Sequence, residues 1–260
     1  MNSTTINVSI TDSVAILTLN RPDKFNSFNR DMALALQEAL DDCSANESVR
    51  CIVLTGNGKA FCAGQDLAEA IDPNGPGIKK IVGEHYNPII KKLRSVRVPV
   101  LCAVNGVAAG AGANIAFAGD IVVATKSASF IQAFSKIGLV PDSGGTWILP
   151  RLIGYQQASA LMMLGDKVSA EDALKMGMLY RVYEDASFME EVMQLAKKLA
   201  EMPTKALLMT RELLMQSASN TLDQQLDAEG EYQAKAASTE DYREGVNAFL
   251  EKRSPRFKGK

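Results

Sequence analysis

NGVAAGAGANIAFAGD, residues 105–120, follows the apolar run VLCAV at residues 100–104, and together they read as a strand that turns at once into a helix. A helix start leaves main-chain N–H groups that no earlier carbonyl can satisfy, so it can hold an anion or a polarised oxygen. Gly106, Gly110 and Gly112 keep side chains out of the way, which lets a ligand carbonyl approach the backbone. A tightly packed buried helix would use the same small residues. No Lys-Ser/Thr pair follows, so the stretch is not a nucleotide phosphate loop.

A second stretch, KAFCAGQDL at residues 59–67, repeats the arrangement after the β-like run CIVLT at residues 51–55. Two strand-to-glycine turns, each offering one N–H, are what a hole for a developing oxyanion requires. With these two motifs the chain resembles the crotonase, or enoyl-CoA hydratase/isomerase, superfamily. The resemblance runs through VAILTLNRPDKFNSFN (14–29), FCAGQDL (61–67), AVNGVAAGAG (103–112), GLVPDSGGT (138–146) and KRSPRFKGK (252–260). It implies an α/β fold, a spiral of repeated ββα units with a helical C-terminal part. Within the superfamily the chain is most similar to the branch that isomerises ring 1,2-epoxides of phenylacetyl-CoA.

The 260 residues, 47% of them hydrophobic, suffice for one large core with a small appended part. A net charge of −2 and the absence of a dense basic block leave no electrostatic footprint for nucleic acid or an anionic membrane. Small molecules and like subunits are therefore the expected partners. Cys43, Cys51, Cys62 and Cys102 lack the paired spacing of a metal site, and the single histidine, His85, rules out a His-based metal centre. Reduced, mostly buried thiols are expected. The start MNSTTINVSI has neither a basic nor an apolar signal region, and no apolar run reaches the length of a membrane span, which predicts a cytoplasmic protein.

Residues 6–10 and 14–19 alternate around Thr11-Asp12-Ser13 and predict a β-hairpin. Asn29 is placed to cap a helix with Met32, Leu36, Ala39, Leu40 and Cys43 on one face, and residues 49–55 return as a buried strand. Residues 70–77 form the most loop-like segment, a lid over an acyl pocket or an ordinary surface loop, before a helix carrying Ile81, Tyr86, Ile89, Ile90 and Leu93. Residues 121–125 predict a further strand. Beyond Pro150 helical patterns follow one another at 156–164, 169–176, 187–202, 204–217, 221–237 and 239–252, with capping boxes expected at Ser187/Glu190 and, less completely, Ser169/Asp172. The boundary is placed near residue 200: residues 1–200 form the core with the CoA-thioester site, and 201–260 a helical part. In the crotonase family such a part serves trimer contacts and closes the acyl pocket, so a homotrimer or dimer of trimers is expected.

Carried onto this chain, the resemblance makes the N–H groups of Gln65 and Ala111 the two donors to the thioester carbonyl. It places Lys24, Ala60, Ala63, Gly64, Asp66 and Leu67 along the CoA site and Gly110 and Phe134 beside the acyl group. Lys252, Arg253 and Phe257 of the basic tail are expected near the adenine and phosphates, in the same or a neighbouring subunit. The two glutamates with which a hydratase activates water match Asn114 and Phe134, neither of which can be a base. A carboxylate stands instead at Asp142, which either shuttles a proton or caps the helix that follows. Apolar neighbours Phe134, Ile137, Leu139 and Val140 are expected to raise its pKa. His85 is read as a partly exposed helical residue outside the catalytic set. No cofactor is expected beyond the CoA carried by the substrate. The resemblance leaves three other functions: a 2-enoyl-CoA hydratase, an enzyme like 4-chlorobenzoyl-CoA dehalogenase, whose tryptophan stands where this chain has Phe134, and a non-catalytic acyl-CoA- or RNA-binding homologue.

Overall fold

Ile6–Thr11 (β1) and Val14–Leu19 (β2) form the expected antiparallel hairpin, turning through Asp12 and Ser13 with positive φ. Asn29 then caps Arg30–Ala45 (α1), its side chain accepting the Met32 N–H at 3.1 Å. The computed structural model describes residues 5–260; residues 1–4 of the stretch read for a signal sequence lie outside the described residues. Cys51–Gly56 (β3) pairs in parallel with β2 and is followed by a short second strand, Ala60–Cys62 (β4), and by Leu67–Ala70 (α2). Gly77–Lys80 (α3) runs through a π-helical stretch, Ile81–Tyr86, into Asn87–Ser95 (α4). Residues 71–76 link α2 to α3 through a turn in which the Gly75 N–H donates to the Asp72 carbonyl at 2.9 Å.

Val100–Val104 (β5), Val107–Ala109 (β6) and Ala111–Phe117 (α5) repeat the strand–strand–helix unit, as do Ile121–Thr125 (β7), Ser129–Ile131 (β8) and Gly145–Ile153 (α6). The first strand of each unit enters a six-stranded sheet and the second a four-stranded one. The orders are β1-β2-β3-β5-β7-β10 and β4-β6-β8-β9, where Tyr155–Leu164 (α7), Lys167–Ser169 (β9), Ala170–Met176 (α8) and Arg181–Tyr183 (β10) complete the spiral. The ββα spiral implied by the sequence is therefore the observed fold. β9 and β10 add two short strands to a region whose sequence reads as almost purely helical.

The central strands β3, β5 and β7 of the larger sheet are buried on both faces, which their unbroken apolar sequences require. Ile52, Leu54, Val100 and Cys102 face the second sheet and α1, where Met32, Leu36 and Leu40 cover them. Cys51, Val53, Leu101 and Ala103 point the other way, against Phe188, Val192, Ala196 and Ala200 of Phe188–Glu201 (α9). All four cysteines are free and buried, and burial pushes Cys62 and Cys102 up to about 12.

Thr204–Gln216 (α10), Leu222–Ala237 (α11) and Glu240–Leu250 (α12) bury few side chains. α10 is tied to the sheet by Arg211, which bonds Asp120 and donates to the Val96 and Val98 carbonyls at 2.7 Å. The chain then folds back so that the Lys258 and Gly259 N–H groups meet the buried Asp241 carboxylate at 2.7 and 2.8 Å. Ser187 makes no side-chain cap on α9; its backbone has already turned helical (φ −104°, ψ 0°), which aims the hydroxyl away from the first turn. The complete capping box is Thr221/Gln224 on α11. Among the described residues no helix is long and apolar enough to cross a membrane.

Candidate active site

The glycine turns after the parallel neighbours β4 and β6 meet at the same end of the four-stranded sheet. A methyl group on Gly64 would stand 3.0 Å from the Ala109 carbonyl and 3.6 Å from the Ala111 nitrogen, so the two turns lie side by side. Gly64 has φ +92° and Gly110 φ +52°, ψ −126°, conformations that a side chain would strain. Phe28 brackets the first turn: its N–H donates to Gly64 O at 2.7 Å, and its carbonyl accepts the Asp66 N–H at 2.8 Å. Because a trans peptide sets C=O and N–H in opposite directions, the Gln65 N–H points away from Phe28. In the second turn Gly110 O accepts the Asn114 N–H at 3.2 Å, so the Ala111 N–H points outward from the start of α5. Among the described residues neither the Gln65 nor the Ala111 N–H has a hydrogen-bond acceptor.

Asn26 anchors the neighbouring loops. Its amide donates to Asn57 O and Ala60 O at 2.9 and 2.8 Å, while its Oδ1 accepts the Arg21 N–H at 2.9 Å. Ala63 N–H donates to Phe25 O at 3.0 Å. Lys24, Ala63 and Leu67 stay exposed beside the first turn, whereas Ala60 is buried. Asp66 is already engaged: it caps α2 and pairs with Arg21 at 2.8 Å, which holds its carboxyl below the usual range.

Asp142 lies on a turn held against α5. Its carbonyl accepts the Gly145 N–H and the Asn114 Nδ2, each at 2.9 Å, and Asn114 Oδ1 accepts the Gln132 Nε2 at 2.8 Å. Phe134 packs at 3.7 Å from where a Gly110 Cβ would be. The Asp142 carboxylate does not cap α6: Ser143 Oγ donates to Oδ1 at 2.9 Å, and no N–H of the helix reaches it. Burial raises its pKa and the Ser143 bond partly opposes this. Of the four apolar neighbours expected around it, Phe134 is buried, whereas Ile137, Leu139 and Val140 are 56, 41 and 81% exposed in the chain. Apolar cover on the turn comes from Ile90 and Ile148, both 3.5 Å from the place of a Gly144 Cβ.

Two other expectations divide. His85 is fully buried, because the π-helical turn directs it under Arg30, and burial lowers its pKa. The tail lies elsewhere within the chain. Phe257 packs 3.4 Å from a Gly245 Cβ position, and its carbonyl accepts from Arg50, the residue before β3, at 3.3 Å. Arg253 pairs with Glu244, and Lys252, just past the C-cap of α12, has φ +55°. Sequence reasoning passed over Tyr86, Ser143 and Asn26; of these only Asn26, a polar residue before a buried Ser-Phe pair, left a local sign, its tolerance of positive φ.

Comparisons with known proteins identify the chain's relatives. The family description Enoyl-CoA hydratase/isomerase matches residues 9–260. The chain is 49% identical over 250 residues to 1,2-epoxyphenylacetyl-CoA isomerase of Escherichia coli K12, covering 95% of each chain. It is 35% identical over 255 residues to a trans-2-decenoyl-acyl-carrier-protein isomerase of Streptococcus mutans, covering 97% of each. It also superposes on the crystal structure of an enoyl-CoA hydratase from Polaromonas sp. JS666 with a TM-score of 0.90 at 33% identity, covering 97% of this chain and 99% of that one.

Proposed function

The chain belongs to the enoyl-CoA hydratase/isomerase family, and from that premise we propose that it is an acyl-CoA isomerase acting on ring 1,2-epoxyphenylacetyl-CoA, with 3-enoyl-CoA as a second substrate class. The thioester oxygen accepts the Gln65 and Ala111 N–H groups. Asp142 takes a proton from the carbon beside the thioester, the negative charge moves onto the oxygen as an enolate, and the same carboxyl returns the proton farther along the conjugated system. For the ring epoxide, which interconverts with its seven-membered oxepin form by bond reorganisation, that proton shift locks in the oxepin. Nothing is oxidised or added. Each N–H donor contributes about 3 kcal/mol to lowering the barrier.

The observation that carries this reading is the fate of the hydratase positions. Asn114 spends its amide on Asp142 O and Gln132, and Phe134 is a hydrocarbon wall, so the pair offers no base for water. The one-carboxylate chemistry left to Asp142 suits isomerisation. Lys24, Ala60, Ala63, Gly64, Asp66 and Leu67 supply the CoA side, and Gly110 and Phe134 the acyl side. Lys252 and Phe257 join the CoA site only across a subunit contact in a homotrimer or dimer of trimers. The enzyme is cytoplasmic and needs no cofactor beyond the CoA of its substrate. Turnover of purified protein against crotonyl-CoA, a 3-enoyl-CoA and the ring-epoxide thioester tests the reading: isomerisation should dominate, and hydration of crotonyl-CoA at an equal rate would overturn it.

A further inference from the structure

The helix running from Gly77 to Ser95 crosses the site yet holds none of the groups assigned above. Its middle, Ile81–Tyr86, is π-helical, a rare form that concentrates at functional sites. Tyr86 is buried, and its hydroxyl donates to Gln65 Oε1 at 2.8 Å. The other end of that amide, Nε2, donates to Glu69 Oε2 at 2.8 Å, and Glu69 Oε1 accepts the Arg30 main-chain N–H at 2.8 Å. Gln65 is therefore held at both ends of its side chain as well as along its backbone. The Tyr86 ring meets Phe28 edge-on, centroids 6.0 Å apart, and Phe28 is the residue that brackets the Gln65 peptide from behind. Ile90, four residues on and so on the same side of the helix, stands 3.5 Å from the place of a Cβ on Gly144, in the turn that carries Asp142. One helix face thus bears on both the first N–H donor and the acid/base turn.

We propose that Tyr86 is a positioning residue for the first oxyanion donor: by gripping the Gln65 side chain it fixes the peptide plane whose N–H meets the thioester oxygen. A donor turn on a loop needs such support, because an N–H that swings must be reorganised at each turnover. Burial, reinforced by Cys62, Asp142 and Glu69, holds the Tyr86 phenol far above its usual pKa, so it stays a donor throughout the working pH range. The inference rests on Gln65 being a donor in the isomerase reading.

The probe is 4-dimethylaminocinnamoyl-CoA, whose absorption moves to longer wavelength when N–H donors polarise its carbonyl. The unmutated protein should shift the band. Tyr86→Phe, which removes one hydroxyl, should shift it less and lower kcat for a 3-enoyl-CoA about fivefold, the worth of one neutral hydrogen bond, with KM unchanged. Gln65→Met keeps the main-chain N–H but removes the amide, and it should reproduce both changes. The double variant should be no worse than Gln65→Met, because Tyr86 acts through Gln65. An undiminished shift in Tyr86→Phe would overturn the inference alone, as would losses that multiply in the double variant. A wild-type protein that shifts nothing would overturn the oxyanion reading and this inference with it. If Tyr86→Phe does not fold, a full wild-type shift in Gln65→Met overturns the inference and a diminished one supports it.

Discussion

Asn114 donates its side-chain N–H to the main-chain carbonyl of Asp142 at 2.9 Å, so the residue standing where a hydratase has a glutamate here holds the turn of the proposed base. The bond shares that carbonyl with the Gly145 N–H and is braced from behind by Gln132. Ser143, next in the turn, keeps a positive φ of 51° that a serine does not favour, so the turn needs an outside anchor.

Replacing Asn114 by Ala should remove the anchor and leave Gln132, also buried, without its acceptor. A buried polar group so stranded costs about 1 to 3 kcal/mol, and urea unfolding should show a loss of that size. Isomerisation should fall about tenfold, since a turn loosened by roughly one hydrogen bond misplaces the carboxylate without removing it. Loss of stability with unchanged kcat would mean that Asp142 holds its position unaided.

At Gly110 the effect of a methyl group separates strain from collision. The nearest atom to a Cβ there is 3.7 Å away, in Phe134, so space is adequate. The penalty comes from φ +52° and ψ −126°, a region that costs a non-glycine residue about 1 to 3 kcal/mol. Gly110→Ala should relieve that strain by rotating the peptide that carries the Ala111 N–H. The expected loss is about a hundred- to thousandfold in kcat, the value of one oxyanion donor, measured beside a thermal melt that falls only modestly. An equal loss in affinity for free CoA would instead point to a collapsed site.

The Gly64 and Gly110 turns, the hairpin, α1 and the order of helices after Pro150 could be read from the sequence, because each rests on a local signal: glycine, alternation or helical spacing. β4, β6, β8 and β9 could not be read from periodicity. Each is three residues long, too short to display a period, and they assemble only because strands distant in sequence line up beside one another. In the site, Asp142 was visible as a carboxylate in a glycine turn. Its neighbours in sequence, Ile137, Leu139 and Val140, are largely exposed, whereas the apolar Ile90 comes to the adjacent Gly144 from another helix, which local sequence cannot show. Tyr86 was legible only as an apolar position on a helix. The polar end of that residue acquires meaning through Gln65, 21 residues away.

The tail makes a prediction with two readouts. Asp241 is buried, and its carboxylate depends on the N–H groups of Lys258 and Gly259. Deleting the residues after Glu251 should cost about 3 to 6 kcal/mol, since two hydrogen bonds to a charged group are lost. If Lys252 and Phe257 also serve a neighbouring subunit's CoA, the folded truncation should bind CoA thioesters more weakly, with the difference largest at low salt. Unchanged affinity by titration would confine the tail to a structural part within its own chain.

Asp142→Asn keeps the shape of the side chain and an oxygen to accept from Ser143, but it cannot take a proton. Isomerisation should fall at least a hundredfold, the lower end for a positioned general base, and solvent deuterium should no longer enter at the carbon beside the thioester. The pH behaviour fixes the sign. Burial raises the Asp142 pKa in the folded chain, so the ionised carboxylate is disfavoured there relative to the unfolded chain. Above the raised pKa the wild type carries that penalty and the amide does not; below the unfolded pKa the wild type carries none. The asparagine variant should therefore be the more stable protein at neutral pH by denaturant unfolding, with its advantage shrinking as pH falls through the raised pKa. Wild-type kcat/KM should rise with pH along a limb set by the same group, displaced upward from the ordinary carboxylate range. A variant that is inactive yet more stable is what a functional, partly desolvated carboxylate predicts. A variant that is destabilised at every pH would show that Asp142 serves the fold, and one that isomerises at the original rate would remove it from the mechanism.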